Sequence, residues 1–457
     1  MKLLTKRLTC LESSLMRSHI LGKAIFTVAF LFMFILTAFL TGCQSEAIEL
    51  KANFTRREEF DTTMHTKIEK KIISQAVNNR VKAFSIGAVG DLMFHNTQLS
   101  RAYDSNTGEY DFYDSFSHIK PYLHTVDYVF GNFESTLAGK DYSGYPMFTT
   151  PDSILDAITD AGIDFLSTGN NHSLDRGELG LKRTIEQLRK RNIPFTGTYY
   201  SSEERTPFEM VVVEGVNFAV INYTYGTNGL RIEGKMDLVN SLDYYDQEKL
   251  KELYEDVAAA EASEADYVIV MMHFGYEYQS LESDKIQKNI VKELIVNGAD
   301  IVFGGHPHVL QPVELFYEMD GQSFEEPKVV IYSLGNFIAS QRNVNKLGGN
   351  TDLGVVFNIY FETVDQRRPK IKGIGFLPTY TLWQANTITT IPITDDLSLL
   401  EEHALDINAY QYTPWDLGRI QFGQDYTVPH LMRYIDKEAK IGEALYLENG
   451  FYRYDLN

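Results

Sequence analysis

Thiols are almost missing from this chain of 457 residues, which carries two cysteines, Cys10 and Cys43. Two thiols exclude a disulfide-built scaffold and a thiolate zinc site. Basic charge is in deficit as well: 42 Lys and Arg face 62 Asp and Glu, for a net charge of −20. A surface that negative lacks the broad cationic face that phosphate backbones require, so no nucleic acid partner is expected. What is present describes a folded body. Hydrophobic residues make up 44% of the chain, and 28 Phe with 28 Tyr supply surface to bury, which excludes disorder for most of it. The length suits two or three domains, or one large α/β domain with an appendage.

The N-terminus reads as an address. Residues 24–40 (AIFTVAFLFMFILTAFL) are uncharged, and Lys2, Lys6, Arg7, Arg17 and Lys23 precede them, the layout of an export signal. The run ends in Leu40-Thr41-Gly42-Cys43, which matches the lipobox of bacterial lipoproteins. Residues 1–43 are therefore read as a lipoprotein signal peptide with Cys43 as the lipidated residue; an uncleaved anchor is the other reading, for which the run is short. Both put the rest of the chain outside the cytoplasm, lipid-anchored to the cell membrane in the first case. A start at Met16 would give a signal of ordinary length. Cleavage before Cys43 removes five basic residues and one acidic one, taking the charge from −20 to −24. Residues 44–82 are polar and charged, a tether with one short helix at 66–78.

From residue 83 short apolar runs alternate with helical periods. Strands are expected at 84–89, 127–130, 163–167, 210–223, 267–272, 300–303, 329–332 and 353–361, with a hairpin turn at Glu214-Gly215. Helices are expected at 153–161, 178–191, 247–265 and 284–297. The alternation argues a mostly parallel sheet covered by helices, with a second sheet or antiparallel extension over 329–376. Residues 396–457 are read as a mostly helical appendage, with helices at 397–407 and 429–446. The main domain would then be 83–395.

Metal-capable side chains follow the apolar runs repeatedly. They are Asp91 in GDLMFH, Asn132 and Glu134 in GNFES, Asn171 and His172 in GNNHSLDRG, His273 and Glu277 in HFGYEY, and His306 and His308 in GGHPH. In an open α/β sheet the C-terminal strand ends share one edge, so these residues would converge on one cleft. Singly, each has an ordinary structural explanation: a Gly-Asp turn, a loop Asn-His, a hydrogen-bonded core histidine, a solvated Glu277. His306-Pro307-His308 is stronger, because imidazoles at i and i+2 project together from extended backbone. Their joint occurrence carries the site. A His/Asp/Asn/Glu set without thiolate suits Mn, Zn or Fe, one ion or two, and a pair of ions would clamp a phosphoryl group.

At these residues the sequence resembles the CapA family of capsule synthesis proteins, linked to poly-γ-glutamate production, within the calcineurin-like metallophosphoesterase superfamily. The blocks are Gly90-Asp91-x-Met93, Asn132-x-Glu134, Gly169-Asn170-Asn171-His172-x-x-Asp175-x-Gly177, His273-x-Gly275-x-Glu277-Tyr278, Gly305-His306-Pro307-His308 and Ser333-Leu334-Gly335-Asn336-Phe337. The resemblance implies an α/β fold, a β-sandwich flanked by helices in αββα layers. It implies Asp91 and His308 on one metal, Asn171, His273 and His306 on the other, and His172 as the residue that contacts the scissile group. Met93 departs from the superfamily's histidine and Asn132 from its bridging aspartate. Glu134 would take over the bridge, and His95 is a poor substitute for the missing histidine.

The resulting expectation is a cell-surface lipoprotein in biosynthesis or export of a capsule or poly-γ-glutamate-like polymer. It would be a metal-dependent phosphoesterase-like hydrolase using His172, Glu134 and Glu277 as catalytic groups and Asp91, Asn132, Glu134, Asn171, His273, His306 and His308 around the metal. Its partners would be the membrane, an anionic cell-surface polymer or its precursor, and membrane-bound polymer synthase components. The alternative is a non-catalytic polymer-binding or export accessory with a degenerate metal site. For a polyanion to approach so acidic a protein, a local basic patch must help; Arg176, Arg342 and Lys346 lie near the blocks, although ordinary surface ion pairs explain each.

Overall fold

The computed structural model describes residues 82–456 apart from 235–236, 343–348, 364–367 and 436–444. Strands β1 (Lys82–Leu92), β2 (Tyr128–Phe133), β3 (Phe165–Ser167) and β4 (Phe195–Thr196) run parallel, in that order, within a ten-stranded sheet. Strands β5 (Val216–Thr224), β6 (Tyr267–His273), β7 (Ile301–Gly305) and β8 (Gln322–Leu334) do the same within a six-stranded sheet. Antiparallel strands complete both: Leu353–Thr363 and Lys370–Trp383 extend the first from β1, while Glu209–Val213 and Leu310–Met319 edge the second. The mostly parallel sheet with a second sheet or antiparallel extension expected from the alternation resolves into two mixed sheets, the β-sandwich implied by the resemblance.

Strand composition explains the layering. Runs apolar on both faces must be covered on both. On the first sheet Ile86, Ala88, Phe130 and Phe165 join the core between the sheets, while Val129, Leu166 and Phe133 face outward. There they meet Ile154, Leu155, Ile158 and Ala161 of helix α1 (Ser153–Ala161) and Leu188 of α2 (Gly177–Lys190). Along β6, Tyr267, Ile269 and Met271 point into the shared core, whereas Val268, Val270 and Met272 pack under α3 (Gln247–Glu261) and α4 (Asn289–Val296). Each such buried aliphatic side chain stabilises the layers by about 1.5–3 kcal/mol. The outcome is helix, sheet, sheet, helix.

The hairpin forms where expected, with Glu214 at φ 53° and Gly215 at φ 85°, the two left-handed residues of a type I′ turn. The end of the chain differs from expectation. Its long helix is α5 (Pro414–Leu431), not 429–446, and the 397–407 helix shrinks to Ser398–Glu402. Thr413 caps α5 in a box with Asp416, and Pro414 opens it, which is why it begins there. Strands Tyr446–Glu448 and Phe451–Asp455 then pair onto Lys370–Trp383. The two final strands thus complete one side of the ten-stranded sheet, and α5 sends Val428 and Leu431 into the central core. Among the described residues no helix is long and apolar enough to cross a membrane. The export signal, Cys43 and the 66–78 helix lie outside the described residues.

Candidate metal centre

The parallel strands of both sheets end at one rim, and the polar blocks meet there. Close backbone approach requires glycine at two points. A Cβ on Gly90 would lie 1.8 Å from the Gly335 carbonyl oxygen, and one on Gly305 would come 2.9 Å from Asp91 Oδ1. Asp91 N–H donates to the Gly335 carbonyl at 3.0 Å, which ties the end of β1 to the turn after β8.

Asp91, wholly buried, stands at the middle of a polar network. Its Oδ1 accepts from Asn132 Nδ2 at 2.8 Å, and its Oδ2 lies 3.0 Å from His308 Nδ1, which is also 3.1 Å from Asn336 Oδ1. Asn132 Nδ2 also stands 3.3 Å from His273 Nδ1, while Asn171 Oδ1 faces His273 Nε2 at 2.9 Å. His306 reaches the cluster from the other side, 4.9 Å from the His273 ring and 5.9 Å from that of His308. Two ligand groupings result, each with its donor atoms within 4.8 Å of one another: Asp91, Glu134 and His273, and Glu277, His306 and His308.

Glu134 sits deepest. It is fully buried, Oε1 lies 3.6 Å from His273 Nε2 and 3.9 Å from His172 Nε2, and neither carboxylate oxygen has a hydrogen-bond partner among the described residues. Burial, then the charges of Asp91, Glu277 and Asp175, push its carboxyl well above the usual range. His273 and His306 are held well below the ordinary imidazole range, by burial first and neighbouring histidines second. His306 Nδ1 is likewise buried without a partner. Neutral imidazoles and an unpartnered carboxylate form a donor set that a divalent cation would satisfy, because the cation supplies the positive charge absent from this cavity.

His172 is oriented by Asp175. Its Nδ1 lies 2.8 Å from Asp175 Oδ2, which also accepts from Phe148 N–H at 2.5 Å. The carboxylate keeps the proton on Nδ1 and turns Nε2 toward Glu134. Phe148 meets the ring edge-on at 4.7 Å. Asn170 holds the loop, donating from Nδ2 to the Phe133 carbonyl at 2.8 Å.

Asp91, Asn132, Glu134, Asn171, His172, His273, Glu277, His306 and His308 lie together at this rim, with differences in detail. Asn132 is corrected: it turns its nitrogen to Asp91, and its oxygen accepts from Ser167 Oγ at 3.2 Å and Asn170 Nδ2 at 3.3 Å. A carboxylate neighbour requires a donor opposite it, so this oxygen is turned away from the ligand groupings. The metal partition implied by resemblance shifts too, with Glu134 beside Asp91 and His273, and the exposed Glu277 beside His306 and His308. His306 and His308 are not extended; both are left-handed, at φ 94° and 58°, a strain of roughly 1–3 kcal/mol apiece that clusters at functional sites. Met93 packs with Phe148 and Ala339 and offers no ligand. His95 has its Nδ1 accepting from Ser340 N–H at 3.3 Å, and burial with the charges of His308 and His172 lowers it to about 4. Arg176 donates from Nη2 to the Asp141 carbonyl and to Ser143 Oγ, and Lys346 lies outside the described residues.

Sequence reasoning left three contributors out of the site. Asn336, in the quoted SLGNF block, orients His308; Asp175, also in a quoted block, orients His172. Tyr225 packs its ring against His306, with centroids 4.3 Å apart and the planes tilted by 39°. It follows β5 in a stretch without histidine or carboxylate to mark it.

Residues 85–341 match the model of the family described as bacterial capsule synthesis protein PGA_cap. The chain belongs to this family. It is 27% identical over 273 residues to the PGA biosynthesis protein CapA of Bacillus subtilis (strain 168), an overlap of 58% of this chain and 67% of that protein. It is 29% identical over 261 residues to the capsule biosynthesis protein CapA of Bacillus anthracis, covering 55% of this chain and 59% of that one. Thus the chain spans about three-fifths to two-thirds of the relatives it matches. Among solved structures it is similar to the calcineurin-like phosphoesterase YfkN from Bacillus subtilis, at 14% identity and a TM-score of 0.37 over 75% of this chain and 99% of that one. Purple acid phosphatase PPD1 from yellow lupin (Lupinus luteus) seeds is similar at 12% identity and a TM-score of 0.33, covering 68% of this chain and 54% of that one. The family's matched segment contains every candidate metal residue from Asp91 to His308.

Proposed function

We propose that this chain is an exported, lipid-anchored hydrolase of the cell envelope, acting on an anionic surface polymer or its precursor through a divalent metal centre. One observation carries the reading: Glu134 is fully buried with both carboxylate oxygens unpartnered, facing His273 beside Asp91. Asp91, Glu134 and His273 would hold one ion; Glu277, His306 and His308 surround a second, more exposed position. A bound divalent ion would supply Lewis-acid activation of water and of the scissile group. The chain's own residues do the remainder. His172, fixed by Asp175, presents Nε2 to the cleft, where it can take a proton from the attacking water and pass it to a departing oxygen or nitrogen. Tyr225 and Asn171 hold His306 and His273 in place, and Glu277 at the open side can take up a proton from solvent. The names of the two relatives, which concern capsule and PGA biosynthesis, support the polymer as substrate class.

The second reading, a polymer-binding or export accessory without turnover, is favoured by Asn132. Its amide nitrogen occupies Asp91 Oδ1, leaving the centre one carboxylate poorer than a bridged pair. Metal analysis of the purified chain, followed by assay on phosphodiester and γ-glutamyl model substrates, separates the readings. Stoichiometric metal, with turnover lost in His172→Ala, is expected of the hydrolase. A metal-loaded protein with no turnover on either substrate that still restores polymer export would favour the accessory.

A further inference from the structure

Arg101, Arg342 and Trp383 come from separate parts of the chain and meet in space. The Arg101 guanidinium lies 5.2 Å from the Trp383 ring centroid and that of Arg342 4.7 Å from it. Cation–π attraction accounts for guanidinium on an indole, and paired cations also meet the Tyr200 and Tyr434 rings; the unpartnered donors set this cluster apart. Burial and the Arg342 charge both lower the basicity of Arg101, with no acidic neighbour opposing them. Three donors are left over. Arg101 Nη1, Arg342 Nε and Trp383 Nε1 are buried and have no hydrogen-bond partner among the described residues, an arrangement folding disfavours unless a ligand completes it.

The neighbouring acids do not complete it. Asp416 lies 3.6 Å from Arg342 Nη2, but its oxygens already accept from Tyr380 and Thr413. Asp104, Asp111 and Asp114 line the pocket that Arg101 borders, yet Asp104 turns to Asn106 and Asp111 to Tyr113 N–H, and none of the three makes an ion pair with Arg101 among the described residues. The cluster is tied to the metal centre along two short paths. Arg101 lies on the helix that His95 caps. Arg342 follows Gln341, whose Oε1 accepts from Asn336 Nδ2 at 3.1 Å, and Asn336 Oδ1 is 3.1 Å from His308 Nδ1.

We propose that Arg101, Arg342 and the Trp383 indole N–H form a carboxylate-binding subsite that holds a side group of an acidic chain whose reacting bond lies at the metal centre. The identity of that chain rests on the polymer reading above. A planar carboxylate matches the forked donors of guanidinium, and the nearby acidic pocket disfavours the heavier charge of a phosphate.

Trp383 is itself a reporter, because the chain has 2 tryptophans and Trp415→Phe leaves Trp383 alone. The Trp415→Phe chain, stripped of metal with EDTA and then exchanged into chelator-free, metal-free buffer, is titrated with glutarate, with a γ-linked glutamate oligomer and with inorganic phosphate, at fixed ionic strength. A saturable change in Trp383 emission is expected with both carboxylates, at least ten-fold weaker in Arg101→Met and in Arg342→Met. Arg342→Lys, which keeps the charge and loses the fork, is expected to weaken it about three- to ten-fold and serves where the methionine variant does not fold. Unchanged carboxylate affinity in the arginine variants, no saturable response, or a response to phosphate as strong as to the carboxylates would overturn the proposal. Because no metal is present, the outcome is independent of metal uptake at Glu134.

Discussion

A carboxylate buried without a hydrogen bond opposes folding, so Glu134 should act against stability whenever the centre lacks a cation. Glu134→Gln is expected to stabilise the metal-free protein by about 1–3 kcal/mol in urea denaturation with EDTA, while reducing metal affinity at least ten-fold. Its pH dependence follows from the shifts. Glu134, raised from 4.5, favours folding below that value and loses the contribution as pH rises through its shifted range. His273 and His306, lowered from 6.5, contribute above that value and lose it as pH falls. The histidine contribution therefore rises with pH while that of Glu134 falls, and the falling contribution should vanish in Glu134→Gln. Asp175→Asn is expected to cut turnover about 100-fold or more with metal content unchanged, read by assay beside metal analysis. At this scale the sequence was informative where chemistry is written in residue type, as with Asp91, Glu134, His172 and the two histidines around Pro307. It was silent on Tyr225, whose role depends on a contact across strands, and misleading on Asn132, whose amide orientation is decided by Asp91.

The elements were legible where burial dictates composition. β1, β6 and β7 are continuous apolar runs because both faces are covered, and α1 shows its apolar face at Ile154, Leu155, Ile158 and Ala161 before Gly162 ends it at φ 96°. Periodicity could not distinguish one sheet from two, because a strand buried between sheets and a strand buried under helices have the same composition. α5 was missed for another reason. Its Thr413-Pro414-x-Asp416 start signal precedes a helix with aromatic and polar residues on all sides, so no stripe marks it. Thr413→Ala is expected to cost about 1 kcal/mol, measured by urea denaturation. Gly90→Ala should be harsher, because its Cβ meets backbone 1.8 Å away rather than a yielding side chain. A loss of about 3 kcal/mol or failure to accumulate is expected, whereas Gly177→Ala, with open space around it, should lose about 1 kcal/mol to its left-handed backbone.

For the whole molecule, the layered body brings loops spread from Asp91 to Asn336 to one rim, and α5 with the final strands finishes the sheet beside it. The acidic surface implies that a polyanionic substrate needs local cations to approach, which a metal and the arginines at Trp383 would provide. Cys43→Ser should abolish incorporation of labelled fatty acid and shift the protein out of the membrane fraction; labelling unchanged by the substitution would contradict the lipid anchor. The centre itself is tested most directly by anomalous diffraction from a crystal soaked in Mn²⁺ or Zn²⁺. The account predicts a peak at bonding distance, about 2.0–2.2 Å, from a Glu134 oxygen, with Asp91 and His273 completing its ligands. Full metal occupancy with Glu134 unbound, or no peak at this rim at all, would contradict it.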